Sequence, residues 1–318
     1  MKHDVVIVGG GVSALMNAYY LSEAKLSVCI VDKDLHDMKK KATYGNAGLL
    51  SAFAKDPLSH PGIFMETLKM LLMRNSPLSL ASIPTLKTMI WGVRFFFQAT
   101  DANTRARMKM FERFGEMSFV AYEDMQNRLN MNLDYSRDGL LNVIDSDKSL
   151  QAARKLYADR DVSELDVNEL DTIAPLLDKS KIKGAFLLHK NARINPALIM
   201  ENMTEHLKAQ GVTFVEDTII DLKTEGGAVT SVLSTNSEYE GEHFIMATGV
   251  DETLNHKLGV SLMQIPTKGY SVTVTPKDEI KQIFPTMPLM FSDKFIIATP
   301  RENDLRITSK LEVGGHSE

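Results

Sequence analysis

The 318-residue sequence contains a single cysteine, Cys29, which removes two classes of protein at once. No intrachain disulfide framework can form, and no metal centre built from several thiolates can exist. Cys29 lies inside an aliphatic run and reads as a small core residue. Positive charge is also short: 36 lysines and arginines stand against 41 acids, a net charge of −5, so no global basic field points to nucleic acid. No run approaches the roughly 18 uninterrupted apolar residues that a membrane-spanning helix needs. The apolar residues 5–8 are too few for the core of a signal peptide and lead straight into glycines, so a cytoplasmic location is expected. His189, His243 and His316 have no partners at ligand spacing, so no metal is expected, and no Ser–His–acid set suggests a hydrolase. Nothing repeats internally and nothing is of low complexity.

What is present is an ordinary globular composition, 44% hydrophobic and 24% charged, in a length that predicts about two domains. The most informative stretch is "VVIVGGGVSALMNAYYLSEAKLSVCIVDKD", residues 5–34. Its first aliphatic run is continuous rather than alternating, which predicts a strand buried on both faces. Gly9, Gly11 and Ala14 then fit the pattern G-x-G-x-x-G/A. In that pattern the first glycine permits a tight turn, the second lets backbone approach a pyrophosphate, and the third small residue lets helix and strand pack closely. A helix over residues 12–24 would aim its free N–H groups and its dipole at the phosphates. A second buried strand, 26–31, ends at Asp32, about 20 residues on, where a carboxylate accepts a ribose hydroxyl and disfavours a 2′-phosphate. The plain alternative is a glycine turn in some other α/β protein.

Further along, "ATYGNAGLLSAF" (42–53) is a small-residue loop whose Gly45, Asn46, Ala47 and Gly48 suit either close approach to a flat ligand or an ordinary turn. Residues 62–99 are rich in Met, Leu and Phe and carry Lys69, Arg74, Lys87 and Arg94 against Glu66 alone; Pro77 and Pro84 break them into helical pieces. Two readings stay open: helices packed on the core with snorkelling basic side chains, or a segment lying on an anionic membrane surface. A long helix is expected over 103–130, with Phe111, Phe114, Ser118, Met125 and Leu129 near helical spacing. After a turn at Asp138-Gly139, "LDYSRDGLLNVID" alternates like a strand, and "DVNELDTIAPLL" reads as a short acidic helix closed before Pro175. A helix with Pro196 near its start stops at Gly211 and is followed by a strand. A hairpin at Gly226-Gly227 leads into "EHFIMATGV", expected as a buried strand ending at Thr248-Gly249. A small-residue turn there lies where an open parallel sheet binds its ligand, so the nucleotide domain is expected to be discontinuous.

In order along the chain, "VVIVGGGVSA", "TYGNAGLLS", "LDYSRDGLLNV", "ARINPALI", "FIMATG", "IPTKGYSVTV" and "DLRITSKLE" resemble the flavin-dependent amine and amino-acid oxidoreductases related to D-amino-acid oxidase, above all their D-amino-acid dehydrogenase branch. The Asn46-Ala47-Gly48 loop and Lys268-Gly269-Tyr270 are the specific parts; the opening glycines are common to many flavin and NAD proteins. The resemblance implies an α/β fold with a discontinuous, Rossmann-like FAD-binding domain (1–56 and 190–262). An inserted α+β substrate domain (57–189 and 263–318) would be built on a mixed or antiparallel sheet. It implies FAD rather than NAD, with Gly9, Gly11 and Ala14 at the pyrophosphate and Asp32 on the adenosine ribose. Thr43, Asn46, Ala47 and Gly48 would lie by the isoalloxazine, Thr248 and Gly249 near the phosphates, and Ile219 at the adenine.

The implied chemistry is hydride transfer from the Cα–H of a D-amino acid to flavin, giving an imino acid that water converts to a 2-oxo acid and ammonia. Electrons would pass to a non-oxygen acceptor such as a quinone or an electron-transfer chain, with the protein possible at the inner face of the membrane. No general base is assigned. Tyr270 is read as a substrate-site residue or a buried sheet tyrosine, and Arg301 and Arg306 as carboxylate partners or strand-end surface arginines. Glycine, sarcosine or proline-type amines are the sibling substrates, and the first 34 residues alone would equally suit an NAD-linked dehydrogenase. Family members continue beyond "LEVGGHSE" with a last strand and helix, a glycine-rich turn facing the flavin and a substrate arginine. Three readings follow: a fragment of a longer enzyme, an inactive truncated remnant with a bare flavin face and strand edge, or a short enzyme completed by another chain.

Overall fold

The structure is a computed structural model that describes residues 2–52, 57–73, 76–277 and 283–314. Arg74, His316 and the end of the 42–53 loop lie outside the described residues. In chain order the first elements are β1 (His3–Val8), α1 (Val12–Glu23), β2 (Val28–Asp32), β3 (Leu49–Ser51), α2 (Ile63–Leu72), β4 (Leu78–Leu80), α3 (Leu86–Phe97) and α4 (Asp101–Arg128). Then come β5 (Leu140–Ile144), α5 (Asp147–Tyr157), β6 (Val162–Leu165), α6 (Leu170–Ile173), β7 (Gly184–Leu188), β8 (Asn191–Arg193) and α7 (Pro196–Ala209). The last are β9 (Thr213–Glu216), β10 (Asp221–Glu225), β11 (Ala228–Leu233), β12 (Glu238–Met246), α8 (Thr253–Lys257), β13 (Thr267–Val274), β14 (Leu289–Phe291), β15 (Ile296–Pro300) and β16 (Leu305–Val313). The chain divides into two units: Met1–Asn46 with Pro196–Gln264, and Ala47–Asn195 with Ile265–Glu318. The loop residues after Asn46 pack in the second unit, where β3 pairs antiparallel with β8.

The first unit is built on a six-stranded sheet in the order β10-β11-β12-β1-β2-β9. β1 is parallel to both β2 and β12, and β9 is parallel to β2, as a chain of βαβ crossovers requires. Val6, Val8, Cys29, Val31, Val232 and Leu254 form one buried cluster; each such side chain contributes about 1.5–3 kcal/mol when fully removed from water. Helices α1 and α7 pack together, burying Ala14, Leu15 and Ala18 of one and Ile199, Met200 and Met203 of the other. Gly211 stops the α7 connection at φ +87°, and the β10–β11 hairpin turns at Gly226 and Gly227, both with positive φ.

β12 is shared between two kinds of pairing. Glu238, Tyr239 and Glu240 run antiparallel to β11, and Gly241 to Met246 run parallel to β1. The expectation of a buried strand at "EHFIMATGV" is corrected here: in β12 only Gly241 is fully buried, and Phe244, Ile245 and Met246 are half-buried. Glu238, Glu240 and Glu242 recur with period two and all stand in water, so this strand has a wet face.

The second unit holds an eight-stranded mixed sheet, β13-β16-β15-β14-β5-β7-β6 with β4 beside β16. β14 is parallel to β5 and β4 to β16; the other pairs are antiparallel. β5 is buried along its whole length rather than alternating. Leu140 and Ile144 pack with Leu150 and Tyr157 on the α5 side, while Leu141 and Val143 pack with Leu170 and Ala174 on the α6 side. Helix cover on both faces removes the polar face that the sequence pattern suggested.

The long helix α4 buries only Thr104, Phe119 and Met125; of the expected stripe, Phe111 and Phe114 are exposed. No residue of α2 or α3 is fully buried, which corrects the reading of two helices packed on the core. Mid-way along α4, a Cβ on Gly115 would fall 2.4 Å from Ala52 Cα, so the helix crosses that backbone in direct contact. Alanine would add about 1 kcal/mol of helix propensity, yet the overlap with backbone, not with a yielding side chain, decides the sign. Gly115→Ala is expected to destabilise the protein by about 1–3 kcal/mol, seen as a lower thermal midpoint. An unchanged or raised midpoint would show that α4 does not pack on Ala52.

Candidate functional site

Three glycines join β1 to α1, and each has a different physical reason. Gly9 has φ +116°, and a Cβ there would lie 2.2 Å from the carbonyl oxygen of Ala247. Both its conformation and the end of β12 therefore require glycine. A Cβ on Gly10 would come within 3.0 Å of Asp32 Cγ. At Gly11 φ is −81°, and a Cβ would meet only Thr43 Oγ1, at 3.8 Å. The unit's own packing makes no demand for glycine at position 11. The space it leaves lies in front of the first turn of α1, where a pyrophosphate needs the backbone to come close.

The start of α1 has the features that favour an anion. No side chain caps it from Gly11, and its first turn carries no acid. Thr43 reaches it from the following loop, its Oγ1 accepting the N–H of Val12 at 3.4 Å. The remaining orphan N–H groups and the positive end of the helix dipole stay available to a ligand. Ala14, fully buried, supplies the small residue where helix meets strand.

Asp32 stands at the end of β2 with its side chain only 10% exposed. Its Oδ1 accepts the N–H of Asp34 at 2.8 Å and is ion-paired with Lys41, itself largely buried. Lys41 escaped the sequence reasoning. The available signal was the run Lys39-Lys40-Lys41 after the β2 turn, since a buried carboxylate needs a compensating cation. Lys40 takes the other acid of the turn at 2.9 Å, and this hydrogen bond holds the Asp34 carboxyl below its ordinary range.

The other expected cofactor residues of this unit gather at the same strand ends. Asp217 N–H donates to the Asp32 carbonyl at 3.2 Å, which brings the chain after β9 to the end of β2; Ile219, two residues on, packs half-buried on the Val31 cluster. After β12, Thr248 Oγ1 donates to the Asp251 carbonyl at 2.7 Å and Gly249 takes φ +64°. Asn46 N–H donates to the Thr43 carbonyl at 3.1 Å, closing the loop end.

The remaining candidates belong to the second unit. Ala47 begins it, and Gly48 is buried with φ +76°, its carbonyl accepting Ile194 N–H at 2.8 Å. Tyr270 is 42% exposed on the edge strand β13, with its hydroxyl 3.3 Å from Glu312 and the ammonium groups of Lys268 and Lys310 5.5 and 5.4 Å from its ring centroid. The buried-tyrosine alternative is thereby corrected: both faces of β13 are exposed. The surface-arginine alternative is also corrected. Arg301 is enclosed and held by Asp304 through Nε (2.5 Å) and Nη2 (2.8 Å), closing the turn between β15 and β16. Arg306 is 5% exposed in the interior of β16, opposite Thr299 and Thr273, and donates from Nη1 to Ser271 Oγ at 3.2 Å.

The contrast between Gly9 and Gly11 yields a test. Gly9→Ala meets both positive φ and a backbone oxygen and is expected to disrupt folding. Gly11→Ala is expected to fold, at a cost of no more than about 1 kcal/mol at an N-cap, while losing bound flavin. Flavin absorbance per chain beside the thermal midpoint separates the two; a Gly11→Ala protein with full flavin content would remove the cradle assignment.

The chain matches the DAO family, FAD dependent oxidoreductase, over residues 4–317. It is 33% identical to the D-amino acid dehydrogenase of Helicobacter pylori over 98% of this chain and 75% of that protein. The D-amino acid dehydrogenase of Vibrio vulnificus is 25% identical over 98% of this chain and 76% of its own length. Among solved structures, glycine oxidase from Geobacillus kaustophilus superposes with a TM-score of 0.69 at 17% identity, covering 99% of this chain and 73% of that one. The L-alpha-glycerophosphate oxidase from Mycoplasma pneumoniae, solved with FAD bound, superposes at 0.66 with 16% identity over 99% of this chain and 73% of that one. The cradle at Gly11, the uncapped start of α1 and the acid at the end of β2 fit the same cofactor, and the chain belongs to the DAO family of FAD-dependent oxidoreductases.

Proposed function

We propose that this enzyme is a D-amino-acid dehydrogenase. The substrate amine, having already lost its proton to solvent, expels a hydride from Cα, and water then converts the imino acid to a 2-oxo acid and ammonia. The observation that carries this reading is identity of 33%, sustained over 98% of the chain, to a D-amino acid dehydrogenase. Bound FAD supplies the two-electron acceptor. The chain supplies position: Gly9, Gly11, Ala14 and the start of α1 hold the pyrophosphate, and Asp32, paired with Lys41, accepts a ribose hydroxyl. Ile219 backbone meets the adenine, Thr248 and Gly249 the phosphate end, and Thr43, Asn46, Ala47 and Gly48 the ring system. A deprotonated amine expels hydride unaided, so no side chain is needed as base.

Arg301 and Arg306 are the two candidate carboxylate partners: Arg301 spends two donors on Asp304, and Arg306, buried in β16, donates from Nη1 to Ser271. Tyr270, on the exposed β13, lines the substrate side. Electrons leave to an acceptor other than oxygen, of the membrane quinone or electron-transfer-chain type. Among the described residues no helix is long and apolar enough to cross a membrane, and we place the protein in the cytoplasm, in contact with the inner face of the membrane.

Anaerobic titration of the flavin-loaded protein with paired enantiomers, glycine, sarcosine and proline tests the substrate. The expected result is bleaching by a D-amino acid and not by its L-enantiomer; bleaching by the small amines alone would replace the reading with the sibling one. In air, dye reduction should far outrun peroxide formation, and equal rates would make the protein an oxidase. Arg306→Gln should lower kcat/KM by about 10–100-fold, the loss of one charged hydrogen-bonded pair, with flavin content unchanged.

A further inference from the structure

The turn between β15 and β16, which carries Arg301, is gripped on both sides of that residue. The carbonyl of Pro300 accepts from Arg193 Nη1 at 3.2 Å, and the N–H of Glu302 donates to Asp134 Oδ2 at 2.9 Å. The two grips are joined to each other, because Arg193 Nη1 also donates to Asp134 Oδ1 at 2.6 Å. Arg301 adds a weaker tie, from its Nη1 to Asn195 Oδ1 at 3.4 Å. Arg306 follows further along β16. All of these residues belong to the second unit.

The backbone prepares Asp134 for this task. It lies in the connection from α4 to β5 and takes φ +48°, a left-handed conformation that aspartate and asparagine accept more readily than other non-glycine residues. Its N–H donates to Asn132 Oδ1 at 2.9 Å, and its side chain is 7% exposed. Both carboxylate oxygens are engaged, one by a cation and one by an amide. Arg193 reaches the pair from β8, where its backbone is fixed on two sides. It stands opposite Leu49 in the β3–β8 ladder, and it exchanges N–H···O bonds with Ser136 at 3.0 and 2.8 Å. The next residue, Ile194, donates its N–H to the carbonyl of Gly48. Three contacts in series therefore connect Gly48 to the turn at Arg301.

A buried ion pair contributes little net stability, since desolvation offsets much of the attraction, but it does restrict geometry. Geometry is what hydride transfer demands. The reacting atoms must come to about 3–3.5 Å, and a misplacement of about 1 Å can cost about 100-fold in rate. We propose that Arg193 and Asp134 are positioning residues that set the β15–β16 turn and its arginines at a fixed distance from the flavin loop at Gly48. A substrate carboxylate held by the turn then has its Cα placed over the ring. This inference rests on the reading of Arg301 and Arg306 as carboxylate partners and of Gly48 as a neighbour of the ring. It adds a pair that acts through the turn rather than on the substrate.

Stopped-flow reduction of the flavin-loaded protein by D-alanine, the smallest chiral D-amino acid, tests it. D134N/R193Q removes both charges together, so no lone ion is left buried, and asparagine suits the left-handed backbone. Its limiting rate of flavin reduction is expected to fall by about 10–100-fold and its apparent Kd for D-alanine to rise, with flavin content unchanged. R193K keeps the charge on a shorter side chain, and its rate should lie between the two. A pair that only holds the fold would lower the thermal midpoint and leave the rate and Kd of the flavin-loaded fraction at the parent's values; that result overturns the proposal. Hydrogen exchange on the parent protein needs no variant to fold. The Glu302 amide should exchange as slowly as the Ile194 amide, and exchange at the rate of an open turn beside a protected Ile194 overturns the clamp. Failure of the underlying reading looks different. If Arg301→Gln and Arg306→Gln both keep the parent's kcat/KM, the carboxylate reading falls and this inference with it. If either lowers kcat/KM while the pair variants match the parent, the positioning role alone is rejected.

Discussion

The carbonyl oxygen of Ala247 occupies the place that a side chain at position 9 would need, and the cofactor unit depends on that contact. The loop between β1 and α1 is pinned from both sides. Gly9 N–H donates to Val31 of β2 at 2.9 Å, and Ala247 N–H donates to Val8 of β1 at 2.8 Å. With the loop fixed between two neighbouring strands, α1 can start in only one direction, and its unpaired N–H groups point across the carboxyl ends of the sheet. Asp32 and Thr43 reach the same place because the next strand and the next loop end there.

Charge placement in the second unit follows a comparable economy. An arginine removed from water needs a partner, and the two arginines around the β15–β16 turn meet that need differently. Arg301 is satisfied within three residues by Asp304 and serves the turn. Arg306 is buried in the strand that follows and reaches across to β13, where Ser271 accepts its Nη1. A similar division separates Lys41, drawn onto Asp32, from Lys40, left in water on Asp34.

Much of the first unit was legible because its signals are local. The β1–α1–β2 run, the Pro196 start and Gly211 stop of α7, and the Gly226-Gly227 turn depend on spacings within a few residues. What escaped depends on contacts between distant segments. The alternation read into β5 vanished because α5 covers one face and α6 the other. The apolar composition of the α2 and α3 segment was plain, yet composition cannot tell which side chains a helix turns outward. The site divides in the same way: the glycines and Asp32 were readable, whereas Lys41 on Asp32 and the burial of Arg306 come from folding-back of the chain.

The register of His3 with Gly241 sets an order of events during synthesis. β1 and β2 leave the ribosome first, but their outer neighbours, β9 and β12, come from beyond residue 212. At about 5–20 residues per second, the wait for roughly 200 residues lasts on the order of 10 to 40 s. Throughout it the nascent chain carries a two-stranded fragment with both edges bare, while the long middle segment of the other unit emerges and begins to pack. A chaperone that shields strand edges would have its longest opportunity there, on residues 1–46.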